Sequence, residues 1–222
     1  MINAQKVFND TERERVVARI ASLEERTDAE VVCGVATESA RYDRAESMSG
    51  LLFALLALAF GGSHIPWEGW GEPVGSSFVW QAVLVVAGFV SGSVLTSYYH
   101  PLRRLFVLKR DMAVEVRRSA HQVFSQHGVG ELLHRGGLLI YLSLFERRLE
   151  IRCDSLAAAA LSDKDLESIR DAVLSEVRLG RIAEGLLAGL EAADALLAEA
   201  LPKVREEAES LPNELLLFHP RP

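Results

Sequence analysis

A layered α/β sandwich, with helices packed on a short β-sheet and interrupted by a two-helix transmembrane hairpin, is the fold that this sequence predicts. Three observations lead to it. Two long apolar runs lack charge, short β-branched runs lie on both sides of them, and amphipathic helices with capping signals fill most of the remaining chain. The chain has 222 residues, with 24 Lys+Arg against 31 Asp+Glu and a net charge of −7. That balance argues against nucleic-acid binding, whose footprint is a basic stripe. Two cysteines, Cys33 and Cys153, are too few for a disulfide framework.

The first flank opens with Thr11-Glu12-Arg13-Glu14, the spacing at which Thr and Glu satisfy each other's free backbone donors at a helix start. Val16, Ile20 and Leu23 then fall on one face, and Glu24-Glu25-Arg26 closes a helix of about four turns. Ala29-Glu30-Val31-Val32-Cys33-Gly34-Val35-Ala36 is short and β-branched, the pattern of a buried strand. One helix and one strand cannot make a core, so their partners must lie beyond the apolar segment.

That segment is free of Asp, Glu, Lys and Arg between Glu46 and Glu68, and again between Glu72 and Arg103. About 20 apolar residues of helix cross ~30 Å of hydrocarbon, and both runs are long enough. Gly61, Gly62, Ser63 and Pro66 dilute the end of the first run, whereas the second is unbroken. Trp67 and Trp70 sit in the Pro/Gly turn between them, where amphipathic rings suit the headgroup layer. Arg41 and Arg44 precede the hairpin, and Arg103, Arg104, Lys109 and Arg110 follow it, while the turn has no basic residue. The positive-inside rule then puts both termini in the cytoplasm of an integral inner- or plasma-membrane protein, with Arg103 and Arg104 at the membrane interface. The expected organisation is 1–46, hairpin 47–102, and 103–222.

After residue 103 a helix is expected to run to about Gly128, followed by an apolar strand, Leu138–Leu144. Glu146-Arg147-Arg148 forms a turn into a strand in which Leu149, Ile151 and Cys153 alternate with Glu150, Arg152 and Asp154, giving one wetter face. Ser162-Asp163-Lys164-Asp165 caps the next helix, whose stripe is Leu166, Ile169, Val173 and Val177. A last helix over about 182–201 carries Glu184, Glu191, Asp194 and Glu199, too many charges for a third span.

Several of these segments resemble the TPM domain family, sometimes called thylakoid-lumen acid-phosphatase-like. Ala29–Ala36 is similar to the family's first strand. Gly137-Leu138-Leu139-Ile140-Tyr141-Leu142-Ser143-Leu144-Phe145-Glu146-Arg147-Arg148-Leu149-Glu150-Ile151 looks like its G-V-L-I-x-x-S-x-x-E-R-x-V-x-I hairpin, and Leu211-Pro212-Asn213-Glu214-Leu215 resembles the Asn-Glu-Leu-Pro tail of membrane-linked bacterial members. The resemblance implies a small α/β sandwich, with acid phosphatase activity and photosystem II repair associated with some plant members. It also implies a divalent cation held by acidic loop residues in some members. Here His134-Arg135-Gly136-Gly137 stands in place of an Asp/Asn-rich turn, and Cys153-Asp154-Ser155 in place of a Gly-Tyr-Gly turn.

The densest charge cluster is Glu146-Arg147-Arg148 with Glu150, Arg152 and Asp154. Read as chemistry, Arg152 would grip an anionic phosphate and Asp154 would act as acid or divalent-cation ligand. Read as structure, the cluster is a turn and the solvated face of an edge strand. His121, His127 and His134 are spaced by six and seven residues, not the three or four that stack ligands on a helix. Cys33 and Cys153 read as small core residues, on strands that could be neighbours. No phosphate loop, nucleophile elbow or zinc motif appears. Two functions follow: a cytoplasm-facing interaction, assembly or quality-control module, with membrane lipid and a membrane or membrane-associated protein as partners, or a cation-dependent phosphatase-like hydrolase.

Overall fold

The computed structural model describes residues 3–64, 75–132, 134–204 and 211–222. They form two compact units, one of Met1–Ala40 with Met112–Pro222 and one of Arg41–Asp111.

In the first unit, α1 (Ala4–Val7) and α2 (Asp10–Glu24) lead into β1 (Ala29–Ala36). Beyond the second unit come α6 (Lys109–Gln126, mostly in the first unit), β2 (Gly136–Ser143), β3 (Arg148–Cys153), α7 (Ser155–Ala160), α8 (Asp163–Val177), α9 (Ile182–Ala200) and β4 (Leu215–Phe218). The sheet order is β3-β2-β1-β4. β1 pairs parallel with β2 from Ala29↔Gly136 to Ala36↔Ser143, and parallel with β4, while β2 and β3 are antiparallel.

Both central strands are buried along all eight positions, because helices cover both faces of the sheet. Successive side chains point to opposite faces, so each strand serves two cores. Val31, Cys33 and Val35, with Leu138, Ile140 and Leu142, pack against Val16, Ile20 and Leu23 of α2, Ile169 and Val173 of α8, and Leu186, Leu190 and Leu197 of α9. Val32, Ala36, Leu139 and Tyr141 pack with Val116, Ala120 and Val123 of α6. Asp194 of α9 is buried and ties that helix to α2, accepting from Arg19 at 2.6 Å and also from Arg26.

The structure corrects four local expectations. The capping box of α2 is Asn9 with Glu12, two residues before the expected Thr11 pair; Asn accepts the Glu12 N–H at 2.7 Å and Glu12 returns the bond at 2.9 Å. The expected helix over 103–127 is two helices, α5 (His100–Leu105), opened by Pro101, and α6, whose start carries Asp111. Four short elements were not foreseen: α1, α5, α7 and β4 are each six residues or fewer, below the length at which periodicity speaks. Cys33 and Cys153 are not on neighbouring strands, since β2 separates β1 from β3; both are free thiols, pushed up to about 12 and about 11 by burial.

The second unit holds α3 (Asp43–His64) and α4 (Gly75–Tyr98), with α5 after them. Its apolar windows, Asp43–Gly61 and Phe78–Tyr98, have mean hydropathies of 1.3 and 2.0, yet only 28% and 11% of them is buried, far less than a soluble core helix would show. Phe60, Phe78, Trp80 and Val86 face outward, while the seam is made of small residues. Thr96 donates to Ser49 at 2.5 Å, Ser49 to the Gly92 carbonyl at 3.2 Å, and Ser93 to the Glu46 carbonyl at 3.2 Å. A Cβ on Gly92 would stand 2.7 Å from Phe53 Cβ and 2.9 Å from the Ser49 carbonyl oxygen, so the backbones meet closely there.

Gly92→Leu is therefore expected to part the two helices, at a cost of about 1–3 kcal/mol for overpacking. The readout is a lower apparent melting temperature in detergent, with a smaller drop for Gly92→Ala; an unchanged midpoint for Leu would mean that α3 and α4 do not pack along this seam.

Candidate functional site

Asp154 sits where β3 turns into α7. It is the N-cap of α7, its Oδ1 accepting the Ala157 N–H at 2.7 Å, which is what an Asp at a helix start does best. Arg152 lies over the Phe124 ring, 5.9 Å from guanidinium carbon to ring centroid, and its Nε is buried without a hydrogen-bond partner. No described bond joins the two side chains to each other. Arg103 lies within the second unit, 5.8 Å over the Tyr42 ring and 3.9 Å from Glu46. Arg104, next to it in the last turn of α5, is half-buried. Trp67 and Trp70 fall outside the described residues.

The expected charge cluster divides. Glu150 stays on the wetter face, 3.6 Å from Arg117. Glu146 does not: it is 2% exposed. It accepts the Ser39 N–H at 2.9 Å and the Ser143 hydroxyl. Ser39 Oγ bonds Ser143 Oγ at 2.9 Å and meets the Tyr141 hydroxyl at 3.2 Å, and Tyr141 donates to Ser119 at 3.1 Å. Beside them, Thr37 Oγ1 accepts the Ala4 N–H and contacts His219 Nδ1, both at 2.9 Å, and Glu38 pairs with Arg221 at 3.7 Å. Arg147 takes φ 53° so that the turn can present Glu146 inward.

This network occupies the carboxyl ends of β1 and β2. In open α/β sheets ligands bind outside the carboxyl ends of the strands, where the strand order reverses. Here β1 is that point, with β2 on one side and β4 on the other. Thr37, Glu38, Ser39, Ser143 and Glu146 are all buried, so the crevice is filled by the chain's own polar groups.

At the opposite end of β1, charges are buried again. Glu30, 1% exposed at its side chain, meets Arg135 at 2.7 Å and accepts the Leu211 N–H at 2.9 Å; Arg135 also donates to the Ala29 carbonyl at 2.8 Å. Glu24 accepts the Val31 N–H at 3.0 Å, and Lys203 donates to the Glu24 carbonyl at 3.0 Å. Burial pushes Glu24 up to about 7 and raises Glu30 as well, against the pull of Arg135. A cleft of about 370 Å³ opens nearby, lined by Asp28, His134, Gly136, Leu156, Leu201 and Val204 among others. Gly137 is packed just inside: a Cβ there would fall 1.9 Å from the Val129 carbonyl oxygen. Glu30, Arg135 and Glu24 were not singled out from the sequence, although a glutamate within a buried apolar strand signals a required partner. Among the described residues no group of three His, Cys, Asp or Glu side chains is gathered to hold a metal ion.

The family model of the TPM domain matches residues 105–196. Those residues belong to the TPM domain family. The TPM match takes in α6, β2, β3, α7, α8 and most of α9, while β1, which the match leaves out, pairs along its whole length with TPM strand β2. The solved NMR structure of BA42 protein from the psychrophilic bacterium Bizionia argentinensis resembles this chain, with a TM-score of 0.57, 15% identity, and coverage of 97% of this chain and 99% of that one. At that identity the likeness speaks for the fold. No curated protein matches the chain.

The first unit's buried glutamate predicts a pH dependence. Unfolded, Glu24 loses its proton near its ordinary 4.5; folded, it keeps it to about 7. Its contribution to stability is therefore full below pH 4.5 and falls as pH rises to 7, by roughly 3 kcal/mol. Glu24→Gln keeps the acceptor for Val31 and removes the charge. Its apparent melting temperature is expected to exceed that of the parent at pH 8, with the gap closing below pH 5; a gap independent of pH would exclude Glu24 as its source.

Proposed function

We propose that the chain is a membrane-anchored TPM protein whose α/β unit is a cytoplasm-facing interaction or assembly module. The observation that carries this reading is the filled crevice at the carboxyl ends of β1 and β2, where buried Glu146, Ser143 and Ser39 bond one another. Polar side chains so engaged with one another suit a scaffold for binding better than turnover. Partners are membrane lipid around the hairpin and a membrane or membrane-associated protein against the α/β unit. Anchoring is supported by α3 and α4, which keep small polar residues in their seam and large apolar ones outside. Cytoplasmic termini follow from Arg41, Arg44, Arg103, Arg104, Lys109 and Arg110 at the open end of the hairpin.

The topology is tested by single cysteines in a cysteine-free background. Ser76→Cys is expected to react with a membrane-impermeant maleimide in intact cells and Ser125→Cys only after lysis; the reverse pattern would invert the orientation.

Hydrolysis is tested directly. Asp154→Asn removes the charge but keeps an acceptor for the Ala157 N–H, so the cap survives. The purified chain is expected to release no phosphate from a phosphomonoester with or without magnesium. Turnover that Asp154→Asn cuts by ~100-fold, the scale of one acid–base group, would instead make the chain a hydrolase working at Asp154 and Arg152.

A further inference from the structure

Among the described residues β3 is an edge strand, paired by β2 alone. The Asp154 N–H donates to the Gly137 carbonyl at 2.9 Å, and this fixes the phase of the antiparallel ladder. Arg148, Glu150 and Arg152 exchange hydrogen bonds with β2, so Leu149, Ile151 and Cys153 turn their N–H and C=O groups away from it. A cleft of about 170 Å³ runs between this edge and α8, lined by Leu149, Glu150, Ile151, Leu166, Glu167 and Arg170. The other edge, β4, is only four residues long and has α1 packed against it.

Natural sheets guard their edges with charged side chains, a proline or a bulge, and such a guard becomes a seam for a partner whose charges are complementary. The wetter face of β3 reads Arg148, Glu150, Arg152, then Asp154, in alternating sign. We propose that β3 is a homodimerisation edge, to which a second copy of the chain adds its own β3 antiparallel with Ile151 opposite the partner's Ile151. In that register Arg148 faces the partner's Asp154, Glu150 faces the partner's Arg152, and Leu149 faces the partner's Cys153, each with its symmetry mate.

Two constraints choose this register. The hydrogen-bond phase admits only pairings that set outward-facing residues opposite one another, which excludes any slip of one residue. Of the remaining registers, centring on the 149/151 pair would oppose Glu150 to itself and Arg148 to the partner's Arg152, and centring on the 151/153 pair would oppose Arg152 to itself, and like charges directly opposite are destabilising; centring on Cys153 would run Arg148 and Glu150 against the partner's α7 instead of its strand. Centring on Leu149 would leave Arg152 facing the hairpin turn. The chosen register also gives the guanidinium of Arg152, whose Nε lacks a hydrogen-bond partner, a carboxylate from across the edge. The occupant is thus a second copy because the strand is complementary to itself. The proposal goes beyond the anchoring role and does not depend on it.

The test uses the full chain in a neutral detergent, with mass measured by light scattering at high micromolar concentration. Wild type is expected to be dimeric. Glu150→Arg makes both facing positions basic and Arg152→Glu makes both acidic, so each alone is expected to dissociate at least ~tenfold more readily. An equimolar mixture of the two restores opposite charges at both positions, and is expected to recover the dimer as a heterodimer. Circular dichroism matching wild type shows that each variant is folded. A monomeric wild type, dimers that survive in both single variants, or folded variants that stay monomeric when mixed would each overturn the proposal.

Discussion

The eight-residue parallel register between β1 and β2 is the constraint on which the rest of the first unit depends. Parallel neighbours need a crossover connection of a dozen or more residues, and this chain places the whole Arg41–Asp111 unit, followed by α6, inside that connection. The pairing brings together residues 36 and 143, far apart in sequence, without a disulfide or other covalent tie. Its strength is apolar burial, about 1.5–3 kcal/mol for each Val, Leu or Ile taken fully out of water. Without β1, β2 would lose a neighbour on one edge, and both cores would lose their middle row. The segments before and after the hairpin are therefore expected to stand or fall together as a folded body.

Polarity inside this body is nearly all internal to it. Glu146 fastens the β2–β3 turn to the end of β1, Glu30 and Arg135 join β1 to the start of β2, and Asp194 joins α9 to α2. A buried ion pair adds little net stability over an apolar pair, but removing one partner leaves the other uncompensated, at about 3–5 kcal/mol. Such groups act as register marks: a slip of β1 against β2 would part Glu30 from Arg135 at one end and Ser39 from Glu146 at the other. This is why the most conspicuous ionisable residues of the first unit read as architecture, and why a function sought among them alone finds little free chemistry.

How much of this was legible from the sequence follows from element length and environment. β1, the β2–β3 hairpin, α8 with its Ser162–Asp165 box and α9 were readable because each carries a full period of pattern or a cap. β4 was not, since Leu215–Phe218 is a uniform apolar run of four, and only the neighbouring β1 makes it a strand. Asp154 and Arg152 were legible as the end of a wetter strand face. The cap on α7 was not, because α7 is a short Ala-rich turn with no stripe of its own. Glu146 read as solvated because a charged turn residue usually is; the bonds that draw it inward come from Ser39, which is distant in sequence.

The two units solve packing in opposite ways, and the contrast bears on where the chain works. In the first, the largest side chains are inside: Tyr141, Leu138, Ile140, Leu186 and Leu190 are fully buried. In the second, Ser49, Ala54 and Thr96 are inside, and Leu51, Leu55, Phe60, Phe78, Trp80 and Val83 are outside. Water would penalise the second arrangement, since a surface of that extent would drive association. Hydrocarbon would not, because lipid competes equally with apolar side chains and leaves close backbone contact and interhelical hydrogen bonds to hold the helices together. A single chain applies both codes, switching between them near Ala40 and again near Met112. That switch supports the proposed reading of the hairpin as an anchor and of the first unit as the part that faces water.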